Sequence, residues 1–301
     1  MINIGVMMRE ALEYRLVKLF LWLSKIAPKS FIYASMKMFS LMAYHLIGRR
    51  RKLTIQNLSM AFPLKSKEEI KLLSKQVYVE LSKTISEILL MFVERFDIDA
   101  AVRNSQEAKQ KLENIVKNSP QGIIVVTAHF SNWELAAHFL AKHGLSMLAI
   151  GRKGNNKLID TNLTLPFRER YGNEAVYKKK AMMGMIRRLK KAGNVGLLID
   201  QKSGSMHSVK VDFFGKPAET TLSIASLKLK FDALVVPMFV VRGEDGRYEM
   251  LIHDSVDYVA TELEDQEKKL EAMTLKYTKI IEEIIEKYPA QWFWMHNRWR
   301  L

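Results

Sequence analysis

The segment "VVTAHFSNWELAAHFLAKHG", residues 125–144, contains two residues whose types and spacing could support acid–base chemistry, His129 and Glu134. A carboxylate bound to one imidazole nitrogen fixes the tautomer of the ring, and the other nitrogen can then remove a proton from a substrate. The chain contains no cysteine and no Gly-x-Ser-x-Gly elbow. We therefore expect the proton to come from the hydroxyl of an incoming substrate, as in transfer of an acyl group to an alcohol.

The same segment also allows an interpretation without chemistry. Ser131 and Glu134 have the spacing of a capping box, in which the glutamate only stabilises the start of a helix. His129 could equally be a histidine that is hydrogen-bonded at the end of a strand. A zinc site is disfavoured because the His-Glu-x-x-His spacing is absent, and because His138 and His143 lie on a predicted helix without nearby carboxylates. The segment alone leaves catalysis and capping open.

The elements that would position these residues begin near Gln121. Short apolar, β-branched runs predict buried strands: "GIIVVTA", "LSMLAI", "NVGLLI" and "ALVVPMFVV". Helical patterns separate the runs, and they cover Asn132 to Lys142, Lys157 to Tyr171, Ala181 to Ala192 and Thr220 to Lys230. A hairpin through Glu244 to Gly246 and a charged helix from Glu262 to Lys287 follow. This alternation predicts an α/β fold with a mixed, largely parallel sheet flanked by helices.

The predicted sheet places His129 at the edge where functional groups are expected. Functional groups in such sheets collect where strands end and helices begin. His129 follows the first predicted strand, so it should lie at the carboxyl edge of the sheet. Glu134 falls in the first turn of the next helix and could reach back to the imidazole.

Composition narrows the class of partner. The chain of 301 residues has 47 Lys and Arg against 32 Asp and Glu, which gives a net charge of +15. Such a charge implies an anionic partner. The basic residues are not interleaved with aromatic residues as in platforms that stack bases, and no familiar nucleic-acid motif appears. An acidic protein or an anionic membrane surface is therefore favoured over nucleic acid.

The N-terminal region raises the question of membrane contact. Two apolar stretches, "LVKLFLWLSKIA" and "FIYASMKMFSLMAYHLI", are shorter than the roughly 20 residues that cross a bilayer. Each suits a helix that lies in the membrane interface. A helical hairpin of the core is an alternative, and so is a single tilted span with "RRRK" on its cytoplasmic side. We predict a membrane-associating segment at residues 1–50 and an α/β domain at 51–301, with a helical lead-in at 51–118 and the core at 119–301.

Several further segments carry a family resemblance. They stand in order along the chain: "NLSMAFP", "HFSNWE", "GRKGNNKLIDTNLTLPFRERYG", "LLIDQ", "FFGKPAETT" and "YPAQWFWMHNRWR". Together they resemble the bacterial lipid A biosynthesis acyltransferases, the late lauroyl and myristoyl transferases that carry a histidine followed five residues later by an acidic residue. The resemblance covers nearly the whole chain after residue 50. It implies a fold similar to that of the glycerolipid acyltransferases.

The resemblance also implies roles for individual residues. His129 would be the general base and Glu134 its orienting partner. Arg168 would bind a substrate phosphate or the oxyanion, and Arg170 is the alternative residue for that role. The resemblance implies that four further residues bind substrate: Arg152, Asn156, Asp200 and Gln201. Each of them could instead form a salt bridge in a loop or belong to a turn. The resemblance implies no metal and no cofactor, with an acyl-carrier-protein thioester as co-substrate.

The activity implied by the resemblance is transfer of a fatty acyl chain from an acyl-carrier-protein thioester to a hydroxyl of a phosphorylated lipid A precursor. The expected partners are the acyl carrier protein, the glycolipid and an anionic membrane surface, at the cytoplasmic side of the bacterial inner membrane. An acyl-CoA-dependent enzyme that acts on another glycolipid, such as a phosphatidylinositol mannoside, is an alternative. A non-catalytic basic protein of the membrane surface is another, and a nucleic-acid-binding module is a third.

Overall fold

A computed structural model describes residues 4–177, 181–203 and 207–299 of the chain. Its strands are β1 (Ile123–Thr127), β2 (Met147–Gly151), β3 (Glu174–Tyr177), β4 (Asn194–Leu198), β5 (Ser208–Phe213), β6 (Lys216–Thr221), β7 (Leu234–Arg242) and β8 (Tyr248–Ile252). Six of them form one sheet in the order β3-β2-β4-β1-β7-β8. All neighbours in this sheet are parallel except β7 and β8, which form an antiparallel hairpin. The predicted mixed, largely parallel sheet is confirmed.

The helices are α1 (Ile4–Ile26), α2 (Lys29–Leu46), α3 (Gly48–Ala61), α4 (Lys67–Phe92), α5 (Ile98–Ala101), α6 (Ser105–Lys117), α7 (Trp133–Lys142), α8 (Lys157–Ile159), α9 (Leu165–Glu169), α10 (Ala181–Leu189), α11 (Ser223–Phe231) and α12 (Gln266–Lys287). A π-helical turn, Asp160–Thr164, joins α8 to α9, so the helix predicted over Lys157 to Tyr171 consists of three short pieces. The predicted boundary near residue 50 falls inside α3, and the division into two parts stays a prediction.

The two faces of the central strand β1 explain why its first four residues, 123–126, are all apolar. Ile124 and Val126 pack into one core cluster, whereas Ile123 and Val125 pack into another on the opposite face. Successive side chains of a strand point to opposite faces, so both faces of this sheet are covered. Helix α7 covers the second face, and α10, α11 and α12 contribute to the first.

The N-terminal helices expose an unusual amount of apolar surface. Helix α2 packs along α4, and the hydroxyls of Tyr44 and Ser74 lie 3.0 Å apart at that contact. Large apolar side chains of α1 and α2 nevertheless face outward, among them Leu12, Leu16, Leu19, Trp22, Phe31, Met38 and Phe39. Among the described helices, none combines the length and the apolar character that a bilayer crossing needs.

Candidate active site

The register of the sheet brings His129 to Asp200. Strands β1 and β4 are parallel neighbours, and Thr127 of β1 pairs with Leu198 of β4. His129 stands two residues after Thr127, and Asp200 stands two residues after Leu198. Both residues therefore leave the carboxyl edge of the sheet at the same level, the place where functional groups of α/β proteins collect.

The Asp200 carboxylate takes part in three hydrogen bonds, of which one is to the imidazole ring of His129. Its Oδ1 lies 2.9 Å from Nδ1 of His129, and its Oδ2 accepts the backbone N–H of His129 at 3.0 Å. The indole Nε1–H of Trp292 donates to the same Oδ2 at 2.8 Å. The Asp200 side chain is only 1% exposed. A buried carboxylate with all these donors is fixed in position, and it fixes the ring in turn.

The predicted hydrogen bond between Glu134 and His129 is wrong. Oε1 of Glu134 instead accepts from Arg168, at 2.8 Å from Nη2 and 3.2 Å from Nε. The alternative capping box is not formed either, because the N-cap of α7 is Asn132, whose Oδ1 accepts the backbone N–H of Leu135 at 3.0 Å. Ser131 takes a positive φ of 52° just before the helix. Glu134 is thus a partner of the arginine, and Asp200 occupies the place expected for Glu134.

The Asp200 carboxylate sets the protonation of the ring. Burial by itself lowers the pKa of His129, but the charge of Asp200 and its hydrogen bond outweigh burial and raise the pKa above its ordinary value. Burial would raise the pKa of Asp200, yet the nearby imidazole and the donated hydrogen bonds lower it. Asp200 is therefore ionised and accepts from Nδ1–H of His129. In the neutral ring this leaves Nε2 unprotonated, and no described residue hydrogen-bonds to Nε2.

A cavity of about 440 Å³ opens beside the ring. It lies between one face of the sheet and helices α7 and α9. His129, Glu134, Arg152 and Arg168 are its charged or titratable residues at the carboxyl edge of the strands. The rest of the lining is mostly apolar and includes Ile88, Phe92, Val125, Leu140, Met147 and Met238.

Two glycines of the cavity wall allow the close approach of neighbouring side chains. A Cβ on Gly151, the last residue of β2, would lie 2.9 Å from Nη1 of Arg168, so only glycine lets the guanidinium approach the strand at this point. Gly196 of β4 pairs with Ala149 on one side and Val125 on the other. All three residues line the cavity. A Cβ on Gly196 would overlap the Met147 sulfur, so this glycine lets the Met147 side chain lie against the sheet.

The structure separates the other predicted site residues. Arg152 is exposed and lines the cavity, and its role in binding substrate stays a prediction. Arg170 is turned away: its Nη1 donates to the carbonyl of Met91 at 2.8 Å, and its guanidinium pairs with Glu94 at 3.5 Å. Arg170 therefore does not compete with Arg168 for a ligand in the cavity. Gln201 is half-buried beside Asp200 and is not among the described residues that line the cavity.

Asn156 was expected to bind substrate, but its side chain is used elsewhere. Its Oδ1 accepts the backbone N–H of Ile159 at 3.1 Å and caps α8. Its Nδ2 donates to the carbonyl of Glu10 at 2.9 Å and to Oε2 of Glu13 at 2.8 Å, both in α1. The residue is buried and is not among the described residues of the cavity wall. Asn156 joins the N-terminal helix to the segment that leads to Arg168.

A buried network behind α7 was not predicted. Arg242 of β7 donates to Glu87 at 2.6 Å and to Glu80 at 2.7 Å, and both glutamates belong to α4. Glu87 also accepts from Nδ2 of Asn132 at 3.1 Å. The network thereby supports the N-cap of α7. The sequence contained one indication of this network, which is that Glu80 and Glu87 stand among apolar residues in the pattern of α4. This pattern does not reveal that their partner is Arg242 of β7, because that residue lies far away along the chain.

The C-terminal tail that follows α12 contacts the residues around His129 through its backbone and through Trp292. The backbone N–H of Phe293 donates to the carbonyl of His129 at 3.1 Å, and that of Ser131 donates to the carbonyl of Gln291 at 2.7 Å. With the indole bond from Trp292 to Asp200, the tail holds both members of the pair. The aromatic tail packs against the sheet edge, and Trp292 and Trp294 are buried.

Comparison with known proteins agrees with this arrangement of motifs. The sequence profile of the family described as "Bacterial lipid A biosynthesis acyltransferase" matches residues 6–301. A lipid A biosynthesis lauroyltransferase of Escherichia coli is 28% identical over 285 residues, which cover 93% of this chain and 89% of the relative. A lipid A biosynthesis palmitoleoyltransferase of Escherichia coli is 27% identical, with 86% and 81% covered. A lipid A biosynthesis acyltransferase of Haemophilus influenzae is also 27% identical, with 84% and 78% covered.

The profile covers nearly the entire chain, and each match also extends over most of the length of the relative. The family indicated by the sequence motifs is therefore confirmed. The chain belongs to the bacterial lipid A biosynthesis acyltransferase family and is accordingly an O-acyltransferase of lipid A acylation.

Proposed function

We propose that the chain moves a fatty acyl group from an acyl-carrier-protein thioester to a hydroxyl of a lipid A precursor, with Nε2 of His129 as the general base. One observation carries the proposal. The imidazole is held at Nδ1 by a buried carboxylate, at 2.9 Å, and its ring borders an apolar cavity of about 440 Å³. A fixed base beside an apolar cavity is the arrangement that attack of an alcohol on a fatty acyl thioester requires.

In the proposed step, Nε2 of His129 accepts the hydroxyl proton of the lipid as the oxygen forms a bond to the thioester carbonyl carbon. The tetrahedral intermediate then collapses and the carbon–sulfur bond breaks. The imidazolium returns the proton to the departing thiolate, so the products are an ester and a free thiol. Asp200 stabilises the imidazolium between these steps because its carboxylate stays ionised at Nδ1.

Arg168 is the candidate for binding the negative charge of the reaction. Its guanidinium lies at the cavity and is oriented by two hydrogen bonds to Glu134. Its side chain is one-third exposed, so donor N–H groups remain for a ligand. We propose that this cation binds the oxyanion or a phosphate of the acceptor, interactions for which the planar guanidinium is well suited.

The surface supports action at a membrane. Net charge of +15 favours an acidic carrier protein and a phosphorylated lipid on an anionic leaflet. The outward apolar side chains of α1 and α2 can enter the interface without crossing the bilayer. We propose that the protein works at the cytoplasmic face of the bacterial inner membrane, with these two helices in contact with lipid.

Mass spectrometry tests the proposal. Purified protein is incubated with a lipid A precursor and with either acyl-carrier-protein thioesters or acyl-CoA thioesters, alongside the His129→Ala variant. We expect a mass increase of one acyl chain with the carrier-protein donor, and a loss of rate of roughly 10²- to 10⁴-fold in the variant. Transfer from acyl-CoA alone would overturn the donor assignment. No transfer to the precursor from any donor by folded protein would overturn the acceptor as well.

A further inference from the structure

We propose that Met147, which lies against Gly196 at the inner end of the cavity, sets the length of the acyl chain that the enzyme transfers. The inference rests on the proposed function, because it takes the cavity as the site of the acyl chain. It adds a specificity determinant to that function. The two residues belong to neighbouring strands, β2 and β4, and both line the cavity.

The strand register gives the depth of each residue below the catalytic edge. Thr127 of β1 and Leu198 of β4 form the row nearest the edge, and Val125 and Gly196 form the next row that faces the cavity. Met147 pairs with Asn194 and so lies one row deeper than Gly196. Two rows correspond to four residues of strand, or about 13 Å. The Met147 backbone thus lies two rows below the row of Thr127 and Leu198, and its sulfur reaches back to the row of Gly196.

The side chain of Met147 fills the space that Gly196 leaves open. A Cβ built on Gly196 would overlap the Met147 sulfur and would approach its Cγ to 3.3 Å. The thioether therefore lies over the glycine and ends the cavity there. Methionine is unbranched and flexible, so its position responds to small changes in the volume beside it. This contact is a place where the cavity can be lengthened or shortened by one substitution.

Two substitutions act in opposite directions on this wall. Met147→Ala removes the thioether and extends the cavity over Gly196. Gly196→Ala places a methyl group against the sulfur and pushes the side chain into the space for the acyl chain. Gly196 has no positive φ, so alanine is compatible with its backbone. If Met147 did not end the acyl site, neither change would alter which chain is preferred.

The experiment is a competition among saturated acyl thioesters whose chains increase by one ethylene unit at a time. Equal amounts are offered to the wild type and to each variant, with a lipid A precursor as acceptor, and the products are resolved by mass. We expect Met147→Ala to shift the preferred chain upward by at least one ethylene unit, and Gly196→Ala to shift it downward. Neighbouring products differ by two methylene groups, and one methylene group alone gives about tenfold discrimination in an apolar pocket, so the ratio of neighbouring products should change by about tenfold or more.

Met185→Ala is the matched control. Met185 is as buried as Met147, but it belongs to α10 and packs on the opposite face of the sheet. It should keep the wild-type product profile despite a similar loss of stability. If Met147→Ala does not fold, as judged by circular dichroism, Met147→Val replaces it and should give a smaller shift in the same direction.

The outcomes separate the two proposals. A wild type that acylates the precursor, with Met147 and Gly196 variants whose profile equals that of the Met185 control, overturns the assignment of Met147 and leaves the proposed function standing. A wild type that transfers no chain of any length overturns the proposed function itself. Opposite shifts in the two variants support the inference.

Discussion

Asp200 Oδ1 lies 2.9 Å from Nδ1 of His129, although the two residues are 71 positions apart in the sequence. Glu134, only five positions from the histidine, is bound to Arg168 instead. His129 and its carboxylate partner therefore follow two neighbouring parallel strands, and do not share one strand–helix junction. The cavity edge thus holds two separate pairs, His129 with Asp200 and Arg168 with Glu134.

The first prediction concerns the pH dependence of acyl transfer. His129 must be neutral to act as a base, and the Asp200 carboxylate raises its pKa. In the wild type, kcat/KM should fall as the pH drops through this raised pKa. Asp200→Asn removes the charge, so the pKa falls and the acidic limb should move to lower pH. The plateau should also drop by about 100-fold or more, because the amide no longer stabilises the imidazolium or fixes its tautomer.

The variant Glu134→Gln is the comparison for Asp200→Asn. It weakens the pair with Arg168 but leaves the bond between His129 and Asp200 in place. We expect kcat/KM to fall by about tenfold, the equivalent of one charge-assisted hydrogen bond, with a much smaller displacement of the acidic limb than in Asp200→Asn. The measurement is the pH profile of kcat/KM for the two variants side by side. A larger displacement in Glu134→Gln would return the orienting role to Glu134.

A second prediction concerns the buried network behind α7. Glu87→Gln leaves the guanidinium of Arg242 with a neutral partner in place of a buried carboxylate. Glu80 still pairs with Arg242, so the change removes one charge-assisted hydrogen bond and not the whole pairing. The free energy of unfolding measured by urea denaturation should therefore fall by about 1.5–3 kcal/mol. Glu94→Gln is the control, because this glutamate is 76% exposed and pairs with Arg170 at 3.5 Å. Its effect should stay below about 1 kcal/mol, and equal effects of the two changes would contradict the network's role.

A third prediction concerns the exposed apolar face of α1. Leu16 and Leu19 are 56% and 51% exposed, so replacing both with glutamate should leave the folded core intact. Two charges on this face should reduce binding to vesicles that contain anionic lipid by tenfold or more, as judged by co-flotation. Leu72→Glu on α4 is the control, since this side chain is 61% exposed but lies on a different helix. Equal binding by the wild type and the α1 variant would contradict the interfacial role of α1.

The sequence predicted the parts of the fold that depend on local pattern. Strands β1, β2, β4 and β7 were predicted because buried strands are continuous apolar runs. Strand β3 was not, since it lies at the sheet edge and its four residues are partly exposed. The β5–β6 hairpin was also missed, because its residues mix charged and apolar types outside the main sheet.

In the site, too, the residues that stand in local motifs were predicted, and the contacts between distant segments were not. His129 and Arg168 were found from their motifs, and the structure places both at the cavity. The partner of His129 depends on which strand lies beside β1, and strand order is not contained in a local pattern. The proximity of Glu134 in sequence therefore favoured the wrong carboxylate. Asn156 was misjudged for a related reason, because its partners Glu10 and Glu13 lie in a helix far away along the chain.

The decisive measurement is a ¹⁵N NMR titration of histidine-labelled protein, with the His129 signals assigned from the His129→Ala spectrum. We expect that neutral His129 carries its proton on Nδ1, that its pKa lies above the ordinary value for histidine, and that Asp200→Asn lowers this pKa far more than Glu134→Gln does. A proton on Nε2 in the neutral ring would contradict the role of Asp200. So would a pKa that responds to Glu134→Gln and not to Asp200→Asn.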